Sequence, residues 1–144
     1  MNSGQLARLA LEFRDAIERT PRDVLPVTFA QFPRGSCGDA SLILARYLAD
    51  CGQTGFALVS AWRGTAQRND RCSHAWLERR GLVVDVTGDQ FPEFGQRVFV
   101  GVASPFHRTF AEQERGSASL AAYDERTAST LARACAEVCK RLSP

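Results

Sequence analysis

The spacing of apolar residues along the chain predicts three helices. In the first, apolar side chains recur every three or four positions and therefore share one face. Pro21 follows this helix and ends it. The second is apolar around much of its circumference and precedes Gly52, a residue typical of helix C-termini. The three predicted helices are residues 4–20, 37–51 and 123–142.

Between the second and third helices the pattern changes to that of β-strands. Short apolar or alternating runs, rich in β-branched and aromatic residues, cover residues 56–62, 73–78, 82–87 and 97–102. Residues 105–119 fit no single element. The proline-rich loop before the second helix is expected to include a short extended piece at residues 27–29, and residues 63–71 are a polar connector.

The order of these elements predicts an α+β fold. A helix, a loop and a second helix precede three or four mostly antiparallel strands, and a last helix follows, so the helices are segregated from the sheet. The chain has no internal repeat, low-complexity tract or break in composition. We therefore expect one domain over residues 1–144.

The composition of the chain makes several classes of protein less favoured. The chain has 144 residues, 44% apolar and 24% charged, which is typical of a soluble globular domain. No run of about 18 apolar residues predicts a membrane span, and the first residues lack the features of a secretory signal, so a cytoplasmic location is expected. Delivery as an effector or toxin stays open. A net charge of +2 favours neither a nucleic acid nor a membrane partner.

The chain contains five cysteines. An odd number without an export signal argues against a disulfide framework and leaves packing, metal binding and nucleophilic catalysis. Cys51, Cys135 and Cys139 are expected to pack in the core. The five are Cys37, Cys51, Cys72, Cys135 and Cys139.

Cys37 differs from the others because it opens the second predicted helix. A thiol there lies among unpaired backbone N–H groups and the positive end of the helix dipole, which favours a thiolate. The same N–H groups could stabilise an oxyanion. Gly35 and Gly38 leave space for a substrate backbone. The alternative is that Cys37 is a small buried apolar side chain.

His74 and Asp85 lie on the two strands of a predicted hairpin. With a turn at residues 79–80 the two are directly opposite, and with a turn at residues 80–81 they are diagonal, so both registers place them on one face. A three-residue loop would separate them unless a bulge corrected the register. Asp85 stands among valines and needs a partner if it is buried, and an imidazole is a suitable one.

A zinc site is the competing interpretation of these residues. Cys37, Cys72, His74 and Asp85 could in principle surround a metal. However, a Cys-x-His step within a strand is not a usual zinc chelate, and the chain has no Cys-x2-Cys pair. We therefore expect no metal and no other cofactor.

Three segments together resemble the transglutaminase-like superfamily of papain-fold enzymes. They are Gly35-Ser-Cys-Gly-Asp-Ala-Ser-Leu-Ile-Leu44, His74-Ala-Trp-Leu-Glu78 and Asp85-Val-Thr87. The resemblance covers about residues 35–91. It implies a papain-like core in which the nucleophile-bearing helix packs on a small antiparallel sheet, with the N- and C-terminal helices flanking it.

The resemblance also implies a role for each site residue. Cys37 would be the nucleophile, His74 the base and acid, and Asp85 the carboxylate that orients His74. Gln31 stands six residues before the cysteine, the interval at which papain-type peptidases place an oxyanion-hole glutamine. Gly38 and Trp76 are expected to line the substrate site, with core packing the alternative for Trp76. His107 is expected at the surface.

These residues predict a thiol-dependent amide hydrolase, a cysteine peptidase or amidase that acts on a protein or peptide in an open cleft at the helix start. The chain shows no acidic loop suited to calcium, so calcium-activated crosslinking is not expected. One alternative is a glutamine deamidase or transglutaminase that acts as a toxin or effector. The other is a non-catalytic binding module of the same fold.

Overall fold

A computed structural model describes residues 3–143, which form an α+β fold with four α-helices and a five-stranded antiparallel sheet. The helices are α1 (Ser3–Arg19), α2 (Cys37–Asp50), α3 (Pro105–Arg108) and α4 (Glu125–Cys139). The strands are β1 (Ala57–Arg63), β2 (Cys72–Arg79), β3 (Leu82–Asp85), β4 (Phe99–Val102) and β5 (Glu112–Ser117), in the sheet order β4-β3-β2-β1-β5. No helix within the described range is long and apolar enough to span a bilayer.

The three long predicted helices are confirmed to within a few residues, and the sheet has one strand more than expected. That strand, β5, pairs along β1 at the edge of the sheet, and all six of its residues are exposed. It has no buried face and therefore no apolar alternation that would have predicted it. The expected extended piece at Val27–Phe29 is wrong, because these residues form a 3-10 turn after Pro26.

The hairpin of β2 and β3 adopts the second of the two predicted registers. Arg79 pairs with Leu82 and Leu77 with Val84, so residues 80–81 are the turn. Arg80 and Gly81 both have positive φ angles, 51° and 80°, as a type I′ turn requires. This register places Asp85 diagonally across from His74, on the same face of the hairpin.

The sheet separates two apolar cores. Because side chains alternate along a strand, Leu77 and Val84 face the larger core, which contains the buried faces of α1, α2 and α4. Trp76 and Val83 face a smaller core on the other side. The smaller core also contains Val59, Ala61 and Phe110. His74 lies two residues from Trp76 and belongs to the same side of β2.

Arg14 fixes the segment that follows β3 onto α1. It is buried, and its guanidinium binds both carboxylate oxygens of Asp89 at 2.8 Å. It also donates to the backbone oxygens of Val86 and Arg97 at 2.7 and 3.2 Å. Its carbon Cζ lies 4.8 Å from the ring centroid of Phe32, in the loop before α2. One side chain therefore ties together the two loops that flank the site described below.

Candidate active site

Cys37 is the first residue of α2 and is only partly buried. The preceding Ser36 occupies the N-cap position, and its side chain makes no capping bond, while its carbonyl accepts the amide of Ala40 at 2.7 Å. The first amides of a helix have no partner within the helix. A Cβ placed on Gly38 would meet no atom within 4 Å, so the space beside the thiol is open.

His74 and Asp85 form a buried hydrogen-bonded pair. His74 Nε2 lies 2.7 Å from Asp85 Oδ2, and the two side chains are 0% and 1% exposed. The other carboxylate oxygen, Oδ1, accepts the backbone amide of Thr87 at 2.9 Å. The sequence prediction that these two residues meet across the hairpin is confirmed in geometry.

Each member of this pair shifts the pKa of the other towards its charged form. Burial would raise the pKa of Asp85, but the charge of His74 and hydrogen bonds from two histidines hold that pKa well below its usual range. Burial would lower the pKa of His74, but the charge and hydrogen bond of Asp85, followed by those of Cys37, raise it to about 9. The thiol of Cys37 therefore lies near enough to the imidazole of His74 for its charge to affect that pKa. Since Asp85 occupies Nε2, a thiol would have to approach the ring at Nδ1, the nitrogen that Gln90 also contacts.

His107 is also part of this cluster, and the expectation of a surface position is wrong. It is 2% exposed, and its Nε2 lies 2.7 Å from the same Oδ2 of Asp85 that binds His74. Its Nδ1 lies 2.6 Å from Ser104 Oγ. Ser104 caps the short helix α3, whose first residue is Pro105. This cap and proline are a signal of a helix start that the sequence contained.

Aromatic side chains enclose the imidazole of His74. The nearest ring centroid is that of Phe91, at 5.0 Å, and Trp76 follows at 5.5 Å. Phe106 and Phe110 complete the enclosure. Trp76 is completely buried and its ring packs against His107 at 4.7 Å, so its surroundings are those of a core residue. Of the two roles predicted for Trp76, the structure favours packing over contact with a substrate.

Two glutamines have different relations to the site. Gln31 is exposed in the turn before α2, where its backbone oxygen accepts the amide of Arg34. Its role as an oxyanion donor stays a prediction. Gln90 was not singled out as catalytic, yet its Nε2 lies 3.3 Å from His74 Nδ1 and donates to the Thr87 carbonyl at 3.0 Å. Which of the two groups donates in the contact between Gln90 and Nδ1 depends on whether Nδ1 carries a proton.

The residues that could bind a metal differ from the four that the alternative zinc site would have used. In residues 3–143, one cluster of three ligand-type side chains has its donor atoms within 4.8 Å of one another, and it consists of His74, Asp85 and His107. The two Nε2-to-Oδ2 distances, each 2.7 Å, are hydrogen-bond lengths. A metal ion bound here would replace the two protons that lie between these nitrogens and the carboxylate. Cys72 lies apart from the cluster and accepts a weak bond from Arg63 Nε at 3.4 Å.

The remaining cysteines have three different environments. Cys135 is buried in the larger core, and Cys139 packs against that core, as predicted. Cys51 is exposed at the end of α2, so the packing role predicted for it is wrong.

Two surface clefts lie away from the thiol. One, of about 830 Å³, is lined by residues around the turn of the β2–β3 hairpin, and the other, of about 400 Å³, by the end of α2 and residues 118–121. Neither is lined by Cys37, His74 or Asp85. The open cleft expected at the start of α2 is not among these two.

Comparisons of the chain with protein-family models, with curated proteins and with solved structures found no match. The functional assignment therefore rests on the chemistry of the side chains described above.

Proposed function

We propose that the protein is a thiol-dependent amide hydrolase with a catalytic triad of Cys37, His74 and Asp85. The observation that carries the proposal is a buried imidazole bound through Nε2 to a carboxylate at 2.7 Å, together with a partly exposed thiol at the start of a helix that affects the pKa of the same imidazole. A nucleophile, a base and an orienting group in this order are the requirements of thiol catalysis. The order of the three elements also supports a transglutaminase-like, papain-type core.

The reaction begins from a Cys37 thiolate whose proton is held on His74 Nδ1. The thiolate attacks the carbonyl carbon of the amide, and the resulting oxyanion is stabilised by the first amides of α2, with Gln31 as an additional donor. His74 then protonates the leaving nitrogen, the C–N bond breaks and an amine departs. The acyl group remains on Cys37 as a thioester.

Water completes the reaction. Neutral His74 removes a proton from a water molecule, and the hydroxide adds to the thioester carbonyl. The C–S bond breaks, a carboxylic acid leaves, and the Cys37 thiolate and the protonated His74 are restored. Throughout, Asp85 keeps Nε2 protonated and the ring oriented, so the proton is exchanged at Nδ1, beside Gln90.

The substrate proposed for this site is a protein or peptide. Cys37 is the accessible member of the triad, and the space at the neighbouring Gly38 is open. Hydrolysis of a main-chain amide is the favoured reaction. Deamidation or transamidation of a glutamine side chain uses the same intermediate and is the second candidate.

The test is incubation of the protein with a mixed peptide digest in H₂¹⁸O, followed by mass spectrometry. New N-termini together with heavy oxygen in the new carboxyl groups identify a peptidase, and heavy oxygen in glutamate formed from glutamine identifies a deamidase. Both products should be absent with Cys37→Ser. If wild-type protein and Cys37→Ser give the same products, the proposed hydrolase is contradicted.

A metal measurement separates the hydrolase from the alternative suggested by the buried cluster. We expect a chelator to leave the hydrolysis unchanged. Stoichiometric zinc in the purified protein, lost together with activity on chelation and on substitution of His107, would instead assign the cluster to metal binding.

A further inference from the structure

Asp85 is bound by two imidazoles, and the mechanism above uses only one of them. His74 and His107 both approach Oδ2 through Nε2, each at 2.7 Å. They come from different elements, β2 and α3, and both are almost completely buried. A carboxylate that is withdrawn from water is stable as an anion only when donors surround it.

The partners of His107 indicate which of its ring nitrogens donates to Asp85. An ionised carboxylate only accepts hydrogen bonds, so Nε2 of His107 carries a proton and donates it to Asp85. In the neutral ring Nδ1 is then an acceptor, and the hydroxyl of Ser104, 2.6 Å away, donates to it. The same Oγ accepts the backbone amide of His107 at 3.3 Å. Ser104 therefore fixes the tautomer in which His107 can donate to Asp85.

The ring of His107 is also held in place by packing against aromatic side chains. Trp76 contacts it edge-on at 4.7 Å, and Phe94, Phe99 and Phe106 lie within 5.4 Å between ring centroids. These contacts leave the imidazole little freedom to turn away from Asp85.

We propose that His107 is a positioning residue which holds the Asp85 carboxylate against His74, through a chain of hydrogen bonds that begins at Ser104. The proposal rests on the proposed function, because it assigns to His107 an effect on Cys37 that passes through Asp85 and His74. Without His107 the buried carboxylate lacks a donor, turns away or takes up a proton, and no longer orients His74. A residue that only filled the core would have no such effect.

The experiment compares His107→Phe, which keeps an aromatic ring and removes the donor, with His107→Gln, which keeps an N–H donor. The first readout is the rate of Cys37 alkylation by iodoacetamide at pH 6. The second is the rate at which the Nε2 proton of His74 exchanges with water, measured by NMR. Circular dichroism and thermal melting report whether each variant is folded.

We expect His107→Phe to slow alkylation of Cys37 about tenfold or more, because misplacing a catalytic group by about 1 Å costs up to two orders of magnitude. Exchange of the His74 proton should accelerate by a similar factor. His107→Gln should stay within about threefold of wild type in both measurements, since the donor is restored. In an Asp85→Ala background, His107→Phe should have no further effect on alkylation, because the two act through one chain of contacts.

Wild-type rates in His107→Phe, or equal losses in His107→Phe and His107→Gln, would overturn the proposal. If His107→Phe does not fold, Ser104→Ala and Ser104→Thr replace it. The alanine variant should slow alkylation about threefold or more and the threonine variant should not, since only threonine keeps the hydroxyl. Equal rates in these two variants would overturn the proposal as well.

Failure of the proposed function gives a different result. Cys37 would then react slowly in the wild-type protein too, while exchange of the His74 proton would still report whether His107 holds Asp85. Fast exchange already in the wild-type protein, or exchange unchanged by His107→Phe, counts against the positioning role in either case.

Discussion

His74 and Asp85 are joined by a 2.7 Å hydrogen bond, and both side chains are buried. The pair has consequences for stability as well as for catalysis. The pKa of His74 is raised from its usual 6.5 to about 9, since Asp85 and then Cys37 outweigh the opposing effect of burial. A raised folded-state pKa stabilises the protein fully below the unfolded value, and this stabilisation is lost as the pH rises through the folded value.

The free energy of unfolding should therefore fall by about 2 kcal/mol between pH 6 and pH 8. Urea denaturation at several pH values measures this slope, and His74→Gln should remove it. The comparison stays below pH 8, because burial raises the pKa of Cys135 to about 12 and thiols of the unfolded chain ionise above that range. A slope as steep in His74→Gln as in wild type would show that another group titrates.

Arg14 should be among the most important polar residues for stability. Its side chain is 4% exposed and holds Asp89 and two backbone oxygens. Arg14→Ala leaves these groups without their partner and should cost about 3 kcal/mol in urea denaturation. Arg97→Ala is the matched control, since Arg97 pairs with Asp15 and Glu18 at 42% exposure and should cost about 1 kcal/mol or less. Equal costs for the two variants would refute the anchoring role of Arg14.

Gln90 and Gln31 should affect different steps. Gln90 contacts His74, so Gln90→Ala should slow by about tenfold both alkylation of Cys37 by iodoacetamide and its acylation by p-nitrophenyl acetate. Alkylation forms no oxyanion, whereas acylation does. Gln31→Ala should therefore leave alkylation unchanged and slow acylation by at least about tenfold. Unchanged acylation in Gln31→Ala would remove Gln31 from the oxyanion site.

Local signals were enough to predict the part of the site that lies within one hairpin. A two-residue turn at either residues 79–80 or residues 80–81 places His74 and Asp85 on one face, and the structure has the turn at residues 80–81. Likewise, Cys37 was placed at a helix start by the glycines around it and the apolar run that follows. These relations involve few residues, close in sequence, and each has a defined geometry.

The rest of the site depends on contacts that the sequence pattern does not encode. His107 is 22 residues from Asp85, on a helix of four residues that is too short for an apolar stripe. Arg14 resembles any surface arginine of an amphipathic helix until Asp89 is brought to it from 75 positions away. A polar residue cannot be predicted to be buried until its hydrogen-bonding partners are known, because a buried polar group is stable only when such partners surround it.

The central claim, that Cys37 is activated by His74, is tested most directly by labelling the protein with iodoacetamide at graded pH and mapping the modified cysteine. We predict that Cys37 alone among the five cysteines is alkylated below neutral pH, and that His74→Ala abolishes this reaction. The more exposed Cys51 is the internal control for an ordinary thiol. Alkylation of Cys37 only above about pH 8, together with Cys51 and at a rate unaffected by His74→Ala, would contradict the claim.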